Sequence, residues 1–413
     1  MCRSATASSR IGMVCIMFLL AGCVQTDDDA LVYASRSLPA TTPWDLEALS
    51  IPPDFEWDQG TQVRSLYYEG EPLQGKPTRV FAYYATPGSL KDDSSLDKDL
   101  PAIVLVHGGG GTAFPEWVTL WAERGYAAIA MDLAGRGAER VRLEDGGPDQ
   151  ELSDKFGGID LPLTDQWPYH AIANVIRAHS LVRSFAEVDP DRTAITGISW
   201  GGYLTCIASG LDNRFQAAVP VYGCGFLHEN SAWLGKFDEM SQGNRDKWVR
   251  YWDPSPYVGS TSVPVFFVNG GTDFAYPPDS HTKTFDLVKS EKNIRFVPHM
   301  DHGHIFDRPP EVEAFVDHYL NDADPLPKIT QLKVVEDHIT ANVAGPFELI
   351  KAELHYTFED PSGDPKTREW HAATARLDNN TILSKSPPED TRMWFITVTD
   401  QRGFVVSSRV YFQ

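Results

Sequence analysis

"AITGISWGGYLT", residues 194–205, places Ser199 between Gly197 and Gly201 at GxSxG spacing, directly after a short apolar run. Alone the motif says little, because Gly and Ser are common in loops. Its flanks decide the reading: "TAIT" before it has the character of a strand and "YLTCIASG" after it that of a helix. A serine on a sharp strand-to-helix turn is a nucleophile elbow. Such a turn forces the serine into a strained backbone conformation, and Gly197, Gly201 and Gly202 leave room for neighbouring elements to approach.

Outward from the motif, apolar runs alternate with helical patterns. "RVFAYYATP", "PAIVLVHG", "YAAIAMD", "RTAITG", "AAVPVYG", "VPVFFVNG" and "NIRFVP" read as strands, several continuously apolar as in a parallel sheet buried on both faces. "WVTLWAERG", stopped by Gly125, and "YHAIANVIRAHSLVRSF" read as helices between them. The alternation predicts an α/β fold with a mostly parallel central sheet over residues 51–322. Composition changes at the Pro-bearing connector 321–328. Beyond it Ile350, Ala352, Leu354, Tyr356 and Phe358 alternate with Lys351, Glu353, His355 and Thr357, so one face of a strand should be apolar and the other wet. Short strands between turn-forming segments predict a small all-β sandwich of immunoglobulin or fibronectin type over residues 327–413, without catalytic residues of its own.

The chain opens with Arg3 and Arg10 ahead of an apolar stretch that closes on Leu20-Ala21-Gly22-Cys23. The stretch is too short to span a membrane and reads as a signal segment, residues 1–22. Small residues before Cys23 resemble the lipobox of bacterial lipoproteins, which implies lipidation of Cys23, export to the cell envelope and a membrane contact through lipid only. Residues 23–50 then form a tether. A net charge of −21 argues against nucleic acid and anionic headgroups as partners. Only Cys206 and Cys224 remain beyond Cys23, too few for a disulfide framework; they pair with each other or stay buried thiols.

The elbow and its setting resemble the α/β-hydrolase superfamily over roughly residues 60–320, nearest its prolyl-oligopeptidase-like, dienelactone-hydrolase-like and acetyl-xylan-esterase-like branches. Trp200 stands where a Tyr or Gln is frequent there. Glucuronoyl esterases, which share the fold, carry Arg at that place. The resemblance implies a triad in the order Ser, acid, His. Asp273, after the strand "VPVFFVNG", is the acid so implied, with Asp253 and Asp279 as weaker candidates. "NIRFVPHMDHGHIF" offers His299, His302 and His304. Related enzymes carry Pro-x-x-x-His-Gly here, and setting Pro298 on that proline brings His302 onto the base, while His304 needs a shift of two.

"LVHGGGGTA" ends a strand at His107 and resembles the HGGG oxyanion loop of esterases, which implies that an amide of Gly109 or Gly110 joins that of Trp200 in binding the oxyanion. His107 then orders the loop. No Gly-Lys-Ser/Thr follows the glycines, so phosphate binding is disfavoured. His299, Asp301, His302 and His304 contain metal-ligand types, but adjacent positions rarely point at one ion, and neither metal nor cofactor is expected. The stretch 225–257, with Trp233, Trp248, Tyr251 and Trp252, is long enough for a cap whose aromatics either stack on substrate or pack the cap down. The expected activity is ester cleavage through an acyl-enzyme, on a small-molecule or polysaccharide ester such as an acetylated glycan. A prolyl-oligopeptidase-type peptidase is the alternative, though the roughly 75 residues between Cys23 and the first central strand leave no room for a propeller of about 40 residues per blade. A noncatalytic glycan-binding surface protein is the reading from another class.

Overall fold

The computed structural model describes residues 37–413 apart from 308 and 336. The signal segment, Cys23 and the first part of the tether lie outside the described residues. The remainder of that segment packs down: Trp44 and Leu49 are buried, and the Trp44 indole stacks on Tyr169 and donates to its carbonyl at 3.0 Å.

All seven runs read as strands are strands. Two more precede them, so the main sheet has nine: β1 (Phe55–Trp57), β2 (Arg64–Leu73), β3 (Lys76–Ala85), β4 (Leu100–Val106), β5 (Ala127–Met131), β6 (Val188–Ile198), β7 (Ala217–Val221), β8 (Val265–Gly270) and β9 (Lys292–Val297). Their order is β1-β2-β3-β5-β4-β6-β7-β8-β9. The first three strands and the β3–β5 pair are antiparallel; from β5 through β9 neighbours run parallel. Every residue of β4, β5 and β7 is buried, as strands covered on both faces require. Helices Pro115–Glu123 and Glu311–Asn321 join through Arg124 and Glu313 at 2.9 Å. Trp167–Val182 packs on the helix Trp200–Leu211 that follows the elbow. Parallel pairing brings the carboxyl ends of β4, β6, β7, β8 and β9 to one rim, where ligands bind in open sheets of this kind.

The C-terminal part is all antiparallel: β10 (Lys328–Val335), β11 (His338–Ala344), β12 (Leu349–Thr357), β13 (His371–Asp378), β14 (Thr381–Lys385), β15 (Met393–Asp400), β16 (Val405–Ser407) and β17 (Tyr411–Phe412). The strands form one path, β10-β11-β14-β13-β12-β15-β16, with β17 on β15. β13 pairs with β12 through residues 371–375 and with β14 through 376–378, and β10 lies against β16, so the sheet curls on itself as a half-barrel. On β12 the alternation fails at its ends. Ile350 and Phe358 are 58% and 45% exposed, while His355 and Thr357, expected wet, are buried. The reason is tertiary: that face turns inward, with His355 stacked on Phe395 at 4.9 Å, and Phe395 clusters with Met393, Trp370, Val410 and Phe296 of β9.

Candidate active site

Ser199 sits between β6 and its helix with φ 61° and ψ −120°, a conformation L-residues avoid. The strain persists because bare backbone surrounds it. A Cβ on Gly201 would lie 1.9 Å from the Val106 carbonyl oxygen, one on Gly197 2.2 Å from that of Gly201, and one on Gly202 2.4 Å from that of Val221. The Ser199 amide donates to the Val221 carbonyl at 2.9 Å. Ser199 is 6% exposed, and its hydroxyl faces an imidazole.

That imidazole is His302. Its Nε2 is 2.8 Å from Ser199 Oγ and its Nδ1 is 2.7 Å from Asp273 Oδ2. Asp273 is buried, and its other oxygen accepts the amides of Ala275 at 2.6 Å and Tyr276 at 2.8 Å. A carboxylate facing Nδ1 holds the proton there and leaves Nε2 to accept the hydroxyl proton. Tyr222, Phe274 and Tyr276 pack around the ring at 4.7, 5.0 and 6.0 Å between centroids. Tyr222 itself has φ 65°, and its hydroxyl donates to the Asp301 carbonyl beside His302 at 2.9 Å.

The other candidates have different work. Asp253 accepts the amides of Phe226, Leu227 and Ser255, and Asp279 accepts Asn230 Nδ2. His299 is exposed. His304 Nε2 accepts the Gly108 amide at 3.1 Å. Asp301 Oδ1 accepts the Thr272 hydroxyl at 2.8 Å. Among the described residues no three His, Cys, Asp or Glu are grouped as an ion would require. Cys206 and Cys224 are buried free thiols.

The glycine turn after β4 lies on the elbow: a Cβ on Gly108 would come 2.9 Å from Ser199 Cβ, and one on Gly109 2.7 Å from Trp200 Cδ1. Gly111 donates to the Gly108 carbonyl, whereas the Gly109 and Gly110 amides meet no acceptor among the described residues. Gly110 has φ 70°. Trp200 opens its helix, where the geometry provides no intrahelical acceptor for its amide. His107 braces the turn, its Nδ1–H donating to the Gly108 carbonyl at 2.8 Å and its Nε2 accepting the Leu133 amide at 3.0 Å. Burial holds its pKa down to about 3, which keeps the ring neutral, and both of its nitrogens are engaged by backbone.

Sequence reading missed two supports. Gln150 Nε2 donates to the Gly111 carbonyl at 2.8 Å. Lys155, buried between the Trp167 and Trp200 rings with its ammonium 5.0 and 5.1 Å from their centroids, donates to the Gln150 carbonyl, and burial lowers its pKa to about 8. A lysine in a polar stretch of sequence carries no signal of burial. Of the cap aromatics, Trp248 and Trp252 are buried and bonded to Lys155 O and Gln166 Oε1, so they pack the cap down. Trp233 is half-buried, 4.7 Å from Trp200 and 5.1 Å from Tyr276. A cleft of about 610 Å³ lies elsewhere, lined by Leu46, Asp212 and Arg214 at the far end of the elbow helix.

This sheet, its flanking helices and a strained serine at the carboxyl end of a central strand define an α/β-hydrolase. More narrowly, the chain belongs to the family described as Acetyl xylan esterase (AXE1), which it matches over residues 22–308. In sequence it is 27% identical over 222 residues to the "Uncharacterized peptidase YuxL" of Bacillus subtilis, covering 49% of this chain and 31% of that protein. It is 22% identical over 219 residues to "Acetyl esterase Axe7A" of Xylanibacter ruminicola, 49% of each. The chain thus spans half or less of the length of these two relatives. In structure it resembles the acetyl xylan esterase of Paenibacillus sp. R4, with a TM-score of 0.54, 23% identity, and coverage of 67% of this chain and 92% of that one. Acetyl xylan esterase 1 of Thermoanaerobacterium sp. JW/SL YS485 gives 0.52, 19%, 68% and 95%. At these identities the structural likeness concerns the fold.

Proposed function

We propose that the protein is a serine carboxylesterase that removes acetyl groups from a polysaccharide. Ser199 Oγ attacks the ester carbonyl while His302 Nε2 takes its proton; collapse of the tetrahedral intermediate expels the alcohol, which receives that proton. Asp273 keeps the imidazole in the required tautomer. Water, deprotonated by His302, then attacks the acyl-enzyme, and acetate leaves as Ser199 regains its proton. The amides of Trp200 and of Gly109 or Gly110 bind the oxyanion, each worth about 2.7 to 4 kcal/mol at the transition state.

The observation that carries this reading is the hydrogen-bonded sequence Asp273, His302, Ser199, at 2.7 and 2.8 Å, ending on a serine at positive φ. Family membership supports the acetyl ester as substrate. The decisive experiment compares wild type and Ser199→Ala on acetylated xylo-oligosaccharides, an activated aryl acetate and an aminoacyl-proline amide, with a fluorophosphonate probe alongside. Ester turnover and labelling of wild type, both lost in Ser199→Ala, support the proposal. Undiminished turnover by Ser199→Ala would overturn it. Cleavage of the amide with no ester turnover would favour the peptidase reading that the likeness to YuxL raises, and neither labelling nor turnover would leave a glycan-binding protein. The proposal extends to location: Cys23, in its lipobox-like setting, carries the lipid that anchors the enzyme to the envelope. Incorporation of a labelled fatty acid that persists in Cys23→Ala would refute it.

A further inference from the structure

The strands on either side of the proposed triad end on loops that interlock. β8 runs out at Gly270, three residues before Asp273, and β9 at Val297, five before His302. The Gly271 amide donates to the Val297 carbonyl at 2.7 Å. A Cβ on Gly270 would lie 1.9 Å from the Met300 carbonyl oxygen, and one on Gly271 2.4 Å from that of Pro298. The acid loop and the base loop therefore touch through bare backbone, and moving one moves the other.

Two side chains of the C-terminal half-barrel close on this junction. Arg368 Nη1 donates to the Gly271 carbonyl at 3.0 Å and Trp370 Nε1 to the same oxygen at 3.3 Å. Both precede β13, outside the region matched by the family. Arg368 is 4% exposed and forms no ion pair among the described residues. Its Nη2 instead donates to the carbonyls of Asp360, Pro361 and Gly363, at 3.2, 3.1 and 3.3 Å. Trp370 packs edge-on against Phe296 of β9 and Phe395 of β15, at 5.7 and 5.1 Å. Ser407 completes the brace, its Oγ accepting the Phe296 amide at 2.9 Å and donating to the Phe296 carbonyl.

A buried cation that makes no direct ion pair is costly. Placed here, its planar fork ties three carbonyls of its own loop to one carbonyl of the acid loop, a geometry that ammonium cannot reproduce. We propose that the C-terminal half-barrel is part of the catalytic apparatus, with Arg368 and Trp370 acting as positioning residues that fix Gly271 and thereby hold Asp273 against His302. The inference rests on the triad reading above.

The test uses the full chain and an activated aryl acetate. Trp370→Phe removes one N–H while keeping a ring; Arg368→Met removes the fork; Arg368→Lys keeps the charge. Since a displacement of about 1 Å can cost roughly a hundredfold in rate, kcat should fall about threefold to tenfold in Trp370→Phe and ten- to hundredfold in Arg368→Met, with KM within twofold. Arg368→Lys should recover only part of the loss. Because the pair acts through Asp273, the loss should vanish when each change is made in Asp273→Asn. An equal loss in both backgrounds, or a folded Trp370→Phe with wild-type kcat, would overturn the proposal. If Arg368→Met fails to fold, Trp370→Phe and its double mutant decide the matter. Failure of the triad reading is distinct, because Ser199→Ala would then stay active.

Discussion

The Gly108 amide donates to Nε2 of His304 at 3.1 Å, while two residues earlier His302 reaches Ser199 at 2.8 Å. One His-Gly-His stretch therefore serves the hydroxyl and the glycine turn beside it, with each ring committed to one task. His302→Ala should lower kcat by about 10⁴-fold or more. His304→Ala leaves a buried amide without its acceptor, a stability cost of about 1–3 kcal/mol that ground and transition state share, so the thermal midpoint should fall while kcat drops far less than in His302→Ala. Equal losses in the two variants would mean that the roles are misassigned.

Asp273→Asn should retain the fold and lose about 10⁴-fold in kcat, because an amide beside Nδ1 favours the wrong tautomer. Little loss on an activated aryl ester, measured in steady state, would remove Asp273 from the mechanism.

Gly201→Ala should fail to accumulate as folded protein. The added methyl would sit 1.9 Å from the Val106 carbonyl oxygen, backbone against backbone, and neither side can yield. Gly157→Ala is the control, with nothing within 4 Å of the new atom, and its thermal midpoint should match wild type.

Stability should decline with acid. Burial lowers His107 and His281 to about 3 and His179 to about 4. Each binds its proton more readily once unfolded, so its contribution is complete above about pH 6.5 and drains as pH falls toward those values. Glu311 and Asp132, raised by burial, run the other way at lower pH. Neither nitrogen of His281 has a protein partner among the described residues, and its ring meets Phe267 edge-on. His281→Phe should therefore flatten the fall in thermal midpoint between pH 6.5 and 4.5. A slope identical to wild type would count against the assignment.

Phe274 is 54% exposed beside the His302 ring. Phe274→Ala should raise KM severalfold for bulky alcohol portions and leave small acetates nearly unchanged, since about 25 cal/mol is at stake per Å² of covered apolar surface. Parallel changes across a substrate series would exclude that contact.

The seven strands around the elbow, the small residues of "GISWGG" and the triad candidates were legible in sequence because they follow from local rules: two-sided burial writes continuous apolar runs, and a strained turn demands glycine nearby. The resemblance set the order Ser199, acid, base, and the place of Pro298 favoured His302 among three histidines within six positions; why the other two stand aside is a matter of packing. His304 is drawn to the Gly108 amide, His299 faces water, and His302 is held between Tyr222 and Phe274. The antiparallel β1–β3 edge, the single curled path of the C-terminal strands, and the burial of His355, Lys155 and Arg368 depend on contacts between residues far apart in the chain. Periodicity reports which face of a strand is apolar. What that face meets is settled when the elements assemble, because hydrophobic burial is non-directional and polar side chains bury wherever distant carbonyls can receive their protons.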